Sequence, residues 1–191
     1  MKTLDIQTQP PVMGGPLTPD TQPTSQDRRG AWGRGRVTRW HSSEWPTLQN
    51  SHDSVDGHQN RMLRLRRMLF PVAGSRDFGY AISLDDAILA HDLPEFATGD
   101  WSRPDKDGIP GLNSLLKQMD ALILTWLGLP DLPPWVQLGL RLLDLLDAWL
   151  WAVLHEPRIK SDPDFLAMRA AIIELAGQCG VSEKVMELIA A

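Results

Sequence analysis

Apolar side chains recur at Leu112, Leu115, Leu116, Met119, Leu122, Ile123 and Trp126. This i, i+3, i+4, i+7 spacing places all seven on one face of a helix. Gly128 and Pro130 close that helix, the first by freeing the backbone and the second by lacking an amide hydrogen. The linker GLPDLPP leads into a denser apolar stretch over residues 135–156, WVQLGLRLLDLLDAWLWAVLHE. A short, proline-stiffened linker predicts that the two helices fold back on each other as an antiparallel pair. In the second helix Gln137, Arg141 and Asp144 share one side, with Asp147 three residues further on. Arg141 and Asp144 are spaced to pair across one turn. Leu138, Leu142, Leu145, Leu146, Trp149, Leu150 and Val153 cover most of the remaining circumference. The length suits a bilayer, but three charges near the middle would cost several kcal/mol on insertion. A helix buried on most sides by protein is therefore expected, and it calls for several partners or a second copy of the chain.

Capping signals place the flanking elements. Ser83 with Asp85 and Asp86 starts a helix that runs to about His91 and ends before Pro94, since a hydroxyl and early carboxylates suit the orphan amides of a helix start. Residues 94–111, with prolines, glycines and charges, read as a loop. Ser161, Asp162, Pro163 and Asp164 open a helix whose face carries Phe165, Met168, Ile172 and Leu175, with Gly177 or Gly180 as its stop. Ser182 and Glu183 cap a last short helix bearing Val185, Met186, Leu188 and Ile189. No strand-like alternation of useful length appears in 81–191. The expectation is an all-α fold: a small helical bundle of about five helices over 81–191.

Residues 61–70, RMLRLRRMLF, set Arg61, Arg64 and Arg67 opposite Met62, Leu65, Met68 and Leu69, and Pro71 ends the turn. Segment 61–80 is thus a basic amphipathic piece and linker. It can lie on an anionic surface, dock in a partner's groove, or cap the main domain with its apolar face. Residues 1–60 are rich in Pro, Gly, Ser, Thr, Gln and Asn and lack periodicity, so they read as a long disordered basic arm. Within it, Arg28, Arg29, Arg34, Arg36 and Arg39 interleave with Trp32, Trp40 and Trp45. Guanidiniums can meet phosphates and indoles can stack on bases.

Charge sharpens this division. Residues 1–80 hold seven Asp and Glu against eleven Lys and Arg, about +4, and residues 81–191 hold seventeen against eight, about −9; the sum is the net −5. Candidate contacts to an anionic surface or partner are the five arginines above together with Arg61, Arg64, Arg66 and Arg67. Candidate helical core or partner-surface residues are Trp126, Trp135, Leu142, Leu145, Trp149, Trp151 and Met168. Fourteen arginines against five lysines, and eight tryptophans against one tyrosine, suit either a GC-rich genome or a reading frame that shares its nucleotides with another gene. A single cysteine, Cys179, permits no intramolecular disulfide and suits a reducing compartment. The start of the chain carries no apolar run of a secretory signal, so an intracellular, cytoplasmic location with nuclear access is expected. No phosphate-binding glycine loop, GxSxG or HExxH motif is present. His52 and His58, with Asp53 and Asp56 between them, are the nearest approach to a ligand cluster, and a flexible arm is poor support for one. The expectation is no catalytic residue, no metal and no cofactor.

The run WLWAVLHEP followed by DFLAMRAAI, from Trp149 to Ile172, resembles the carboxyl-terminal region of paramyxovirus C proteins. Trp151, Ala152, Glu156, Pro157, Met168 and Arg169 carry the resemblance, which covers about a fifth of the chain. Those proteins are basic throughout, whereas this helical half is acidic. The resemblance implies a non-enzymatic viral accessory factor that restrains viral RNA synthesis and antagonises host interferon signalling by binding host or viral proteins. Alternatives left open are a membrane-associated structural protein and a nucleic-acid-binding protein that uses the Arg/Trp-rich arm. A homodimer, and weak RNA or anionic-membrane contact through that arm, complete the partner expectations.

Overall fold

Ser54 begins the first long helix by accepting a hydrogen bond from the Gly57 amide at 3.1 Å, in the computed structural model that describes residues 37–40, 43–72, 75–99, 101, 103–127 and 131–190. The described residues form helices: α1 (Pro46–Gln49), α2 (Val55–Leu69), α3 (Ser75–Ala90), α4 (Glu95–Thr98), α5 (Arg103–Gly108), α6 (Leu112–Trp126), α7 (Pro134–His155), α8 (Pro163–Gln178) and α9 (Ser182–Ala190). A 3₁₀ turn, Pro157–Ser161, joins α7 to α8. No strand occurs among the described residues; the one bridge pairs Thr38 with Ser54. The all-α bundle expected from periodicity is the fold.

The centre of the bundle is α7. Val136, Leu142, Leu143 and Leu146 are fully buried along it, against Met62 and Leu69 of α2, Leu84 and Ile88 of α3, Ile172 of α8 and Val185 of α9. Proline opens α7 at its first position, where a missing amide hydrogen costs nothing. Asp162 caps α8 by accepting from the amides of Asp164 and Phe165.

Three expectations are corrected. First, the arm expected to be disordered up to residue 60 is packed structure from Val37 onward; residues 1–36 lie outside the described residues. A strap, 37–54, turns through left-handed backbone at Trp40 (φ 65) and His52 (φ 52) and lays Leu48 of α1 on Ala152 and Ile159. Its polar composition concealed a few well-placed apolar groups: Leu48 and Val55 are fully buried. Second, α6 does not lie along α7. Ile123 and Trp126 instead pack with Leu93, Ala97 and Leu127 in a separate small cluster. Stretches 95–98 and 103–108 of the expected loop are helical, and they are what α6 contacts. Third, α2 and α3 start earlier than expected, at Val55 and Ser75; the apolar face of 61–70 packs into the core, the capping role that was one of its expected readings. Part of the cover that so apolar an α7 demands comes from this amino-terminal stretch, and the rest from α3, α8 and α9.

Candidate functional site

Asp144 and Asp147 lie one turn apart on α7, a mostly apolar helix, and their charges are answered by groups from other elements. The answer comes from α2 and the strap. Arg61 of α2 donates from Nε to Asp147 Oδ1 at 2.8 Å and from its terminal nitrogen to Oδ2 at 2.9 Å, a fork matched to a carboxylate. The same terminal nitrogen reaches Asp53 Oδ1 at 2.8 Å, and the guanidinium lies 4.0 Å from the centroid of the Trp151 ring. Asp53, whose side chain is wholly buried, also accepts from Trp40 Nε1 at 3.1 Å and from Arg39 at 3.4 Å. Arg39 stands 3.8 Å from both Asp144 and Asp147. Strap, α2 and α7 are thereby joined through alternating charges.

Two imidazoles meet at the other side of this network. His58, 1 % exposed, directs Nδ1 to Asp147 Oδ2 at 2.7 Å. Its Nε2 is buried without a hydrogen-bond partner, although Asp144 Oδ1 is 3.2 Å away and Asp92 Oδ2 is 3.9 Å away. His91, just beyond α3, donates from Nδ1 to the carbonyl of Ile88 at 2.8 Å. Its Nε2 too is buried without a hydrogen-bond partner, 3.0 Å from Asp92 Oδ1. The two rings are tilted by 56° with centroids 5.6 Å apart. Nitrogens of His58 and His91 and a carboxylate oxygen of Asp92 all fall within 4.8 Å of one another, a donor set able to hold a metal ion.

The field of the cluster moves its ionisations. Burial and the Arg39 charge disfavour a charged His58, but the facing carboxylates of Asp144 and Asp147 outweigh them and raise its pKa above the ordinary 6.5. Burial would raise Asp147; His58 and Arg61 hydrogen-bond to its carboxylate and lower it instead. Asp144 is likewise lowered against the effect of burial, chiefly by His58. Asp92 is lowered by the neighbouring His91 despite its own burial.

The residues singled out from the sequence fall in several places. Arg28, Arg29, Arg34 and Arg36 lie outside the described residues. Arg39 and Arg61 are held by carboxylates of the cluster, and Arg66 forms a fork on Asp85 through Nε at 2.6 Å and its terminal nitrogen. Arg64 and Arg67 face solvent. Leu142 and Trp149 are core, Leu145 and Met168 pack on the core, and Trp126 belongs to the small α6 cluster. Trp151 is half-buried, hydrogen-bonded to Ser51 at 3.0 Å, with its ring 4.3 Å from that of His155 and tilted by 38°. Trp135 is 48 % exposed. Trp40 stacks on Phe165, and Trp45 lies under Arg158, so both are committed within the fold. Arg141 is exposed; the partners of Asp144 are His58 and Arg39, not Arg141 as its spacing suggested. His52 is exposed and stands apart from His58.

His91 and Asp92 are the residues that sequence reading missed. The available signal was the pair Asp144 and Asp147 on an apolar helix, which requires polar partners from elsewhere; which partners, sequence distance hides. No family model matches this chain, and no curated protein or solved structure matches it either.

Proposed function

We propose that this protein is a non-enzymatic adaptor that binds a helix of another protein along α6. One observation carries the reading. The apolar stripe of α6 is wider than the surface that covers it: Leu116, Ile123 and Trp126 are buried, but Leu115 is 53 % and Leu122 is 43 % exposed. These two lie seven residues apart on one flank, with half-buried Met119 beside them. Seven-residue spacing makes a ridge that fits between the side chains of a second helix, which favours an amphipathic helix as the occupant. Arg39, Arg61 and Arg66 are held by carboxylates within the bundle, which leaves the apolar ridge of α6 as the surface best suited to a partner. A cleft of about 380 Å³ between α7 and α8, lined by Gln137, Arg141, Glu174 and Gln178 among others, shares no residue with the histidine cluster.

The more specific version is a viral accessory factor that restrains viral RNA synthesis and antagonises interferon signalling. Its support is the Trp149–Ile172 resemblance together with the unusual arginine and tryptophan usage. The membrane-inserted alternative finds no support, because no helix among the described residues is long and apolar enough to cross a membrane.

The test uses the full chain and Leu115→Lys/Leu122→Lys side by side as bait in lysate from infected and uninfected cells. A partner held by the native chain and lost by the double variant is expected, and a synthetic amphipathic helix from that partner should compete. Capture indifferent to both substitutions overturns the assignment of α6. Concentration-dependent dimerisation abolished by the same pair would make the occupant a second copy and overturn the adaptor reading.

A further inference from the structure

We propose that His58, His91 and Asp92 form a binding site for one divalent first-row transition-metal ion, with zinc best suited, that clamps α2 to the end of α3, Asp144 of α7, 3.2 Å from His58 Nε2, being the nearest candidate for a fourth donor. The first support is the state of the two imidazoles. A backbone carbonyl can only accept, so His91 carries its proton on Nδ1, where it meets Ile88 at 2.8 Å. A neutral His58 with its proton on Nδ1 donates to Asp147 at 2.7 Å. In that pair of tautomers both Nε2 atoms present lone pairs, and both are buried with no hydrogen-bond partner. An unsatisfied buried nitrogen carries a desolvation cost that a native fold ordinarily offsets. Two of them in a cluster whose donor atoms lie within 4.8 Å of one another indicate a common occupant.

Distance and charge agree with an ion as that occupant. Zinc bonds of about 2.0–2.1 Å in tetrahedral geometry set neighbouring donors about 3.3 Å apart. The recorded separations are 3.0 Å for His91 Nε2 to Asp92, 3.2 Å for His58 Nε2 to Asp144 and 3.9 Å for His58 Nε2 to Asp92. Four carboxylates, Asp53, Asp92, Asp144 and Asp147, face two guanidiniums, Arg39 and Arg61, so with neutral imidazoles the cluster holds two uncompensated negative charges. One divalent cation cancels them. Imidazole nitrogen with carboxylate oxygen and no thiolate suits zinc or its neighbours rather than magnesium or calcium. The carboxylate behind His58, itself gripped by Arg61, is the outer arrangement that orients a metal-bound histidine. Asp144, with its side chain 40 % exposed, leaves a way in from solvent. The rival occupant of the same charge balance is protons on the histidines.

Full-length protein stripped with a chelator is titrated with cobalt(II), then with zinc. One equivalent of cobalt per chain is expected, with the visible absorption of a tetrahedral nitrogen and oxygen set that disappears as zinc displaces it. Zinc at a hundredfold excess over Kd should raise Tm by about 5 °C or more, reversed by EDTA. His91→Ala and Asp92→Asn should each weaken binding at least tenfold, and Asp147→Asn by about 10–100-fold through misorientation of His58. His52→Asn should leave it unchanged. Asp144→Asn, half-exposed and isosteric, serves if His91→Ala does not fold, and must also weaken binding. No cobalt spectrum together with no rise in Tm, or binding that His91→Ala or Asp144→Asn leaves at the native level, would overturn the site and leave protonated histidines as the balance.

Discussion

Asp147 is 2 % exposed and holds two cationic or polar partners at once, Arg61 and His58. Its removal strands both in a buried setting, and breaking a buried ion pair is far costlier than never having made it. Asp147→Ala should therefore destabilise the chain by about 3–5 kcal/mol, with Asp147→Asn markedly milder, as read from urea unfolding midpoints. A second carboxylate gives a pH signature. Glu156, at the end of α7, accepts from Arg158 Nε at 2.6 Å and from Thr47 Oγ1 at 2.9 Å. Chiefly through the Arg158 hydrogen bonds its pKa falls from 4.5 to about 2. A folded pKa below the unfolded one contributes stability that is complete above 4.5 and is lost as pH falls through about 2. Thermal melts across that window should fall less steeply for Glu156→Gln than for the native chain.

At the scale of elements, α2 depends on its cap. Ser54→Ala removes the acceptor for the Gly57 amide and should cost about 1 kcal/mol in equilibrium denaturation. That cap also shows what the sequence made readable. The helices α6, α7, α8 and α9 are written in apolar periodicity and capping residues, and the structure keeps them at Leu112–Trp126, Pro134–His155, Pro163–Gln178 and Ser182–Ala190. The strap and the start of α2 were illegible because their order is tertiary. Leu48 is one apolar residue in a polar run, and Asp53 reads as a solvated acid until Arg61 and Trp40 close on it. Half of the cluster was visible as residues and none of it as a site: His58 and the Asp144/Asp147 stripe drew notice separately, while His91 and Asp92 looked like a helix end. Placement of α6 was misread because a short linker predicts a neighbour only when no other apolar surface competes. Here the short helices α4 and α5 supplied that surface.

For the whole molecule, the basic front and acidic back turn out to be partners. Arg39, Arg61 and Arg66 of the front meet Asp53 within it and Asp85, Asp144 and Asp147 of the back, so part of a polarity that suggested an external anion is neutralised inside the fold. Around these pairs one core spans α2, α3, α7, α8 and α9. Leu142 is fully buried in its midst, and Leu142→Ala should cost about 3 kcal/mol through lost transfer energy and an unfilled cavity, read by chemical denaturation. A single cooperative transition by circular dichroism and by tryptophan fluorescence should accompany that loss.

The pairing of His58 and Arg61 with Asp147 spans 89 and 86 residues of chain. At about 5–20 residues per second, these two side chains are synthesised roughly 4–18 s before their carboxylate. The strap and α2 must wait without their α7 partners for the last turns of that helix. Nascent chains arrested before Asp147 should therefore hold an amino-terminal segment open to proteases, and closure of the bundle becomes a late event in the life of each new molecule.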